Sequence, residues 1–490
     1  MNQKDGNSAF QERLKRIGQG GGEARLQKQH ALGKMSARER INQLLDRDSF
    51  VEHQRFAVGA NGLPGDGVIT GFGKINQMDV CLYAQDFTVF GGTLGMAHAK
   101  KICAIMDLAV EMNTPIIGLI DSGGARIQEG IDALNGYGEL FKRNARYSGL
   151  IPQLSIILGP CAGGAAYSPA LTDAIFMVEE ISQLFITGPK VLQAISGEEV
   201  SVEELGGYRV HAHKSGVAHF VAQTETEAFQ QVAQFLSYLP MNLQKKLSLQ
   251  ENPKEISTCL PLDDRSVYNV KDVIDCIADQ QSFFEMGKSF ARNLVTGFIR
   301  LNGKSVGVIA NNPIHLAGCI DIDASDKCAR FVRFCDCFNI PLLVLEDVSG
   351  FIPGSEQENR GLLRHGAKII YAFVEATVPK VTVILRKAYG GAFVAMNSKA
   401  IGADFVFAWP SAKIAVMGSS GASSVLQNKE SGSTKDDQAQ SSPLLSAEKG
   451  LIDDVILPEE TRKILISTYL LIDKKRKALG TFRKHGNMPL

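Results

Sequence analysis

The sequence predicts an α/β protein built from one unit used twice. Three observations carry this: an internal repeat, apolar runs of strand length, and glycine-rich turns that end those runs where helical spacing begins. The repeat is the strongest. An offset of 226 residues carries Val68-Ile-Thr-Gly-Phe72 onto Leu294-Val-Thr-Gly-Phe298, Gly92 onto Gly318, Lys101 onto Lys327, Pro115 onto Pro341, Asp121 onto Asp347 and Gly124 onto Gly350. With one further residue, Pro152 falls on Pro379 and Gly163-Gly164-Ala165 on Gly390-Gly391-Ala392. Self-similarity at a fixed offset marks a duplicated unit, placed here at 1–257 and 258–490.

The chain opens with helical spacing over roughly 9–46. Asp79 to Tyr83 reads as a short strand, and Ala97 to Met112 places Ile102, Ile105, Met106 and Ala109 on one helical face. Pro115 to Ile120 is a continuous apolar run, the pattern of a strand buried on both sides. Asp121-Ser-Gly-Gly-Ala-Arg126 is the turn after it, Leu154 to Leu158 is the next strand, and Gly163-Gly164 opens the next helix. The second unit repeats this with Pro341 to Leu345, Val381 to Leu385 and Gly390-Gly391. Such alternation implies crossover connections and stacked sheets with helices outside. Lys429 to Ser442 is polar and reads as a loop, and 458–478 as a closing helix.

Composition narrows the function. Apolar residues make up 44% and charged residues 21%, with 52 basic side chains against 52 acidic ones. This is globular composition, without the net positive field that nucleic-acid binding draws on. Nine Cys are scattered without a CxxC pair, which predicts buried thiols, a reducing compartment and no metal site. The first 30 residues lack an apolar targeting core, and the uncharged stretch Tyr147 to Thr172 holds Pro152, Pro160 and Pro169. Both features predict a soluble, cytoplasmic protein with no membrane span.

Several chemistries are missing. There is no GxxxxGK phosphate loop, no GxGxxG after a first strand, no HExxH and no biotin-attachment tract. Each unit does carry a glycine pair where a strand turns into a helix. Such a turn can present two backbone N–H groups at a helix N-terminus, an arrangement suited to a thioester oxyanion. The same pair also suits close helix–strand packing. Asp121-Ser122-Gly123-Gly124 echoes a serine nucleophile turn, but no spacing ties His98, His211, His213 or His219 to Ser122. Arg126 follows at the C-terminal end of a strand, where it either holds a phosphate or makes an ion pair. His315 and His365 stand singly and read as structural.

At these residues the chain becomes recognisable. Asp121-Ser-Gly-Gly-Ala-Arg-Ile-Gln-Glu-Gly130, Gly159-Pro-Cys-Ala-Gly-Gly-Ala-Ala-Tyr-Ser168, Ile186-Thr-Gly-Pro189, Leu316 to Lys327, Arg364-His-Gly-Ala-Lys368, Arg386-Lys-Ala-Tyr-Gly-Gly-Ala392 and Lys484-His-Gly-Asn487 resemble the carboxyltransferase subunits of biotin-dependent acyl-CoA carboxylases, of the propionyl-CoA carboxylase β and methylmalonyl-CoA decarboxylase α type. The resemblance spans essentially the whole chain. It implies a crotonase-like fold for each half and transfer of carboxylate from carboxybiotin to the α-carbon of a short acyl-CoA, propionyl-CoA or acetyl-CoA.

It also implies roles. Gly163 and Gly164 would hold the thioester carbonyl, and Gly391 and Ala392 the biotin ureido oxygen. Gly92, Gly95, Ser122, Gly123, Gly124, Ala125 and Arg126 would line the CoA site, and Ser349, Phe351, Phe393 and Val394 the biotin pocket. Biotin would arrive on a partner that carries biotin carboxylase and carrier functions. The chain would form a homo-oligomer, at least a dimer and commonly a hexameric ring, with N half facing C half between protomers.

Three departures from the family stand out: Val394 where propionyl-type enzymes commonly carry Asp, Ser349 where the family usually has Pro, and a shortened stretch before Gly450. The same site would serve a decarboxylase running the reaction in reverse, and a scaffold that only binds acyl-CoA is the non-catalytic alternative.

Overall fold

The apolar runs become strands buried on both faces: every residue of Ile116–Ser122 and of Leu342–Val348 is buried. The computed structural model describes residues 3–59, 62–240, 256, 266–418, 441–473 and 475. They fall into two units, Met1–Ser237 and Tyr238–Leu490. The boundary expected at 257, most of the 429–442 tract and the 484–487 motif lie outside the described residues.

The first unit holds one eight-stranded sheet: β1 (Val51–His53), β2 (Val68–Ile75), β3 (Met78–Gln85), β4 (Ile116–Ser122), β5 (Gln153–Ala162), β6 (Ala174–Val178), β7 (Gln183–Phe185) and β8 (Phe220–Ala222). Their order is β1-β2-β3-β4-β5-β6-β8, with β7 paired to the end of β5. The second unit holds β9 (Phe284–Met286), β10 (Leu294–Leu301), β11 (Lys304–Asn311), β12 (Leu342–Val348), β13 (Lys380–Tyr389), β14 (Phe405–Ala408), β15 (Lys413–Ala415) and β16 (Asp454–Val455). Their order is β9-β10-β11-β12-β13-β14-β16, with β15 paired to the end of β13. The two sheets therefore repeat strand for strand. In each, the first three strands run antiparallel and the rest parallel. Even the irregularities repeat: register slips between Ile120 and Ser122 and again between Glu346 and Val348.

The helix expected over 97–112 is Met96–Glu111, and the short helices that follow the glycine pairs are Gly164–Ala170 and Gly390–Ala395. The stretch 147–172 is strand, turn and helix rather than a span, and no described helix is long and apolar enough to cross a membrane. One expectation is corrected. The N-terminal helix is three helices, Gln3–Gly18, Glu23–Ala31 and Ala37–Leu44. Gly20 and Gly22 sit at positive φ between the first two, and the Gly21 N–H donates to Thr88 Oγ1 at 2.9 Å. Ser36 and Glu39 close a capping box that starts the third. At the other end the helix is Thr461–Ile472, tied to the core by the buried Trp409 indole, whose Nε1 donates to Thr461 Oγ1 at 2.9 Å.

Each unit has its own apolar core. In the first, Ile102, Ile105 and Met106 of the helix Met96–Glu111 pack on Ile116, Ile120 and Ile157 of the sheet. In the second, one face of the sheet packs Leu343, Leu345, Val381, Val383 and Leu385 around Trp409. The other face packs Ile384, Ala388, Val406 and Ile414, with Phe393 against them.

Candidate active site

Strand β5 ends at Ala162 and the chain reverses into a helix at Gly163, whose φ of 61° is one that side-chain-bearing residues rarely adopt. Gly390, at the end of β13, repeats it with the same φ of 61°. The first N–H groups of a helix have no partner within it. At Gly164 and Ala165, and again at Gly391 and Ala392, no described backbone acceptor takes their place. Gly163 differs: its N–H donates to Phe185 O at 3.0 Å, in the edge strand β7. This corrects the assignment of Gly163 as a donor to ligand. The available pair in the first unit is Gly164 and Ala165, in register with Gly391 and Ala392. The repeat already held this signal, because the 227-residue offset carries Gly391-Ala392 onto Gly164-Ala165.

The other turns predicted to line the first site converge on this one. Leu94 bridges Ala125 in parallel: Leu94 N donates to Gly124 O at 2.9 Å and Arg126 N to Leu94 O at 2.9 Å. Gly123 is exposed, and its N–H donates to Gly91 O at 3.0 Å. A Cβ on Gly124 would lie 2.7 Å from Ala162 O, so this turn rests on the end of β5. Gly92 packs against the carbonyl of Asp121, and Gly95 precedes the helix whose first N–H, Met96 N, is taken by Glu129 Oε2 at 2.7 Å. Beneath Gly164 lies the ring of Tyr137, 3.0 Å from where a Cβ would stand. Sequence reasoning missed Tyr137 and Glu129, because nothing local marks their partners.

Arg126 and Ser122 are both buried in this turn. Arg126 is 1% exposed and already engaged. Its Nη1 reaches Asp66 Oδ1 and Glu129 Oε1, both at 2.7 Å, and its Nη2 reaches Asp66 O at 3.2 Å and Thr93 O at 2.9 Å. The guanidinium braces the turn from inside, which leaves no free fork for a phosphate. Ser122 is fully buried, and its Oγ accepts the Gly124 N–H at 3.2 Å. Among the described residues no histidine is hydrogen-bonded to it. His98 bonds Asp66 O and His211 bonds Leu184 O, and burial pushes the His98 imidazole down to about 3, with Arg126 and Lys101 adding to the shift. The serine-hydrolase reading has no base.

Behind each turn sits a buried carboxylate. Asp121 Oδ2 meets Arg40 Nη1 at 2.8 Å and Lys34 Nζ at 2.7 Å. Burial lowers the Lys34 pKa, opposed by Asp121. Its counterpart Asp347 accepts from Tyr268 Oη at 3.0 Å, Arg386 Nε at 3.1 Å and Lys387 N at 3.2 Å. Burial raises the Asp347 pKa despite these partners.

In the second unit, Ile320 bridges Phe351 as Leu94 bridges Ala125. The Phe351 ring lies over Gly366, 2.9 Å from where a Cβ would stand, and Ser349 is half-buried in the same turn. Ala392 is buried, Phe393 packs on the core, and Val394 is 37% exposed on the helix that follows the glycine pair. At Gly391 a Cβ would meet nothing within 4 Å, so the approach to this donor pair is open. No cluster of metal-ligating side chains occurs among the described residues.

Comparison with known proteins gives this geometry its context. The carboxyl transferase domain family matches residues 28–488. A putative propionyl-CoA carboxylase beta chain of Bacillus subtilis (strain 168) is 52% identical, covering 98% of this chain and 99% of its own. The methylmalonyl-CoA decarboxylase subunit alpha of Propionigenium modestum is 48% identical, covering 98% of each. Among solved structures, a transcarboxylase 12S described as a hexamer assembly, with methylmalonyl-coenzyme A and methylmalonic acid bound, superposes with a TM-score of 0.95 at 45% identity, covering 100% of this chain and 99% of the other.

Proposed function

The chain belongs to the carboxyl transferase family, and from that premise we propose how its two glycine turns divide the work. It is a carboxyltransferase of the propionyl-CoA carboxylase type, with the crotonase-like α/β fold in both units. In our reading the first unit binds the acyl-CoA thioester, with Gly164 N and Ala165 N on its carbonyl oxygen and the 91–95 and 122–125 turns along the CoA. Gly163 shapes the turn, and Arg126 holds it from behind. The second unit receives biotin, carried on a partner chain, with Gly391 N and Ala392 N on the ureido oxygen and Phe351, Phe393 and Val394 around it.

Biotin, when bound, supplies the carboxyl group and takes up the α-proton. The chain's own contribution is electrostatic and geometric. Two donors fixed before reaction face the oxygen on which negative charge develops as the thioester becomes an enolate, and each such donor is typically worth ~2.7–4 kcal/mol. Positioning of the two reactants supplies the rest. No side-chain base is required, in keeping with the buried, occupied state of Ser122 and His98. The observation that carries the reading is the duplicated pair of N–H groups without an internal acceptor, one at each matched turn.

The relatives include both carboxylases and decarboxylases, and one site serves both directions. The carboxylase reading is tested by adding a biotin carboxylase, a biotin carrier, ATP and bicarbonate. ATP-dependent formation of methylmalonyl-CoA from propionyl-CoA is expected. Avidin-sensitive loss of carboxyl from methylmalonyl-CoA, without carboxylation under any supply of ATP, would assign the reverse direction. We further propose a homo-oligomer, as in the related hexamer.

A further inference from the structure

Glu346 is a fully buried carboxyl group on β12, and neither of its oxygens has a hydrogen-bond partner among the described residues. Such a group is costly to bury unless neutral or paired. The fold does not require it, because the matched position of the first unit is the buried Ile120. Register pairs Glu346 with Ile384 of β13. Side chains alternate across a strand, and Ile384 belongs to the apolar layer that Phe393 of the helix Gly390–Ala395 packs against. Glu346 therefore lies on the sheet face beneath the helix that presents Gly391 N and Ala392 N. On the same face, Thr382 Oγ1 takes the Asn397 Nδ2 donor at 3.0 Å. Asn397 Oδ1 is left as a second buried polar atom without a partner.

Charged groups around this layer are already committed. On β13, Arg386 faces Asp347, and the buried Lys380, on the face of Glu346, donates from its Nζ to Phe373 O. On the helix Ile322–Cys337, Lys327 Nζ is held by carbonyls including Phe290 O and Leu294 O, both at 2.7 Å, while Asp326 meets His365 Nδ1 and Lys368 Nζ of the helix Leu362–Glu375 at 2.8 and 2.7 Å. The helix Gly390–Ala395 carries no titratable side chain. Burial holds the Glu346 carboxyl well above the usual carboxylate range, and the neighbouring Asp347 adds to that. The neutral acid has one proton to donate, and Asn397 Oδ1 and Ser398 Oγ, in the segment after the helix, are buried polar atoms without a partner among the described residues.

We propose that Glu346 is a positioning residue of the biotin half-site, which supports the Gly391–Ala392 turn as a neutral acid and disables it when ionised. The inference rests on the reading of that turn given above. A negative charge in this dry layer would oppose the negative oxygen that the two N–H groups are there to stabilise. The test is transfer of carboxylate from methylmalonyl-CoA to free biotin by the full-length protein, followed from neutral to alkaline pH for wild type, Glu346→Gln and Glu346→Ile. Wild type should lose kcat along a single-proton alkaline limb with the KM for methylmalonyl-CoA steady, and both variants should lack that limb. A merely structural role would not move the pH profile. Superimposable profiles in a wild type that turns over would overturn this inference alone. A wild type without transfer would overturn the reading of the site as well. A second readout covers variants that turn over slowly: the infrared difference spectrum of wild type minus Glu346→Gln at neutral pH should show the C=O stretch of a protonated carboxylic acid, and its absence contradicts the proposal.

Discussion

Val394 stands partly exposed one position past Phe393, and it presents methyl groups at a position where the family resemblance implies an Asp near the acyl and biotin ends. An apolar contact separates substrates differing by one methylene by only ~1–3 kcal/mol, so this site should accept both malonyl-CoA and methylmalonyl-CoA. Val394→Asp should change the ratio of their kcat/KM values by about tenfold or more, and parallel assays with the two thioesters measure it. Arg126 answers a different kind of question. Its buried fork holds Asp66 and Glu129, and losing one partner of a buried ion pair costs about 3–5 kcal/mol. Arg126→Ala should therefore lower the thermal unfolding temperature and weaken acyl-CoA binding together, rather than change affinity alone. The turn containing Arg126 was legible in the sequence because its glycines are local signals. The state of the guanidinium was not, because Asp66 lies 60 residues away in a loop with no pattern of its own.

At the scale of elements, the duplicated 3₁₀ turn before each long helix shows one fold solved with two sequences. Gly91 in the first unit has φ 63°, and Ala317 in the second has φ 52° at the matched position. An L residue with a side chain pays about 1–2 kcal/mol for the left-handed region. Ala317→Gly, the choice of the first unit, should stabilise the second unit by up to about 1 kcal/mol after glycine's entropic cost, seen as a higher unfolding midpoint in urea. His98 gives the acid limit. Its folded pKa of about 3 lies below the unfolded value of 6.5, so the unfolded chain binds more protons between the two. Stability tied to neutral His98 is present above pH 6.5 and is lost as pH falls toward 3. Replacing His98 with Gln should flatten acid unfolding in that window, followed by circular dichroism.

The long strands and helices were legible because they are periodic over many residues. The edge strands β7 and β8, and β15 and β16, have 2–3 residues each and no period to read. The break in the N-terminal helix was written in Gly20-Gly21-Gly22, where glycine's cost in a helix outweighs the spacing of the flanking apolar residues.

At the scale of the whole molecule, duplication explains how one chain comes to hold two donor pairs, each at the end of the fifth strand of its sheet. It explains Glu346 less well, since the copy in the first unit is apolar. Beside the first turn, Ile131 and Leu134, at the i, i+3 spacing of one face of the helix Ile131–Tyr147, are 75% and 57% exposed, and Ile127, in the short 3₁₀ turn before that helix, is 89% exposed. A run of this kind is covered in an assembled protein, and the related transcarboxylase is a hexamer. Ile131→Asp should lower the mass seen by light scattering without lowering the unfolding temperature of the protomer.

In the reading proposed above, backbone N–H groups at the two glycine turns carry the reaction. Gly391→Val tests it most directly, because a Cβ there meets nothing within 4 Å of the described protein and projects into the open approach to the donor pair. The measurement is avidin-sensitive transfer of carboxylate between methylmalonyl-CoA and free biotin by the purified chain. Wild type should turn over, and Gly391→Val should lose about 10²–10³ in kcat while it still binds methylmalonyl-CoA and unfolds at the same temperature. Turnover by Gly391→Val equal to wild type would show that these N–H groups do not carry the reaction.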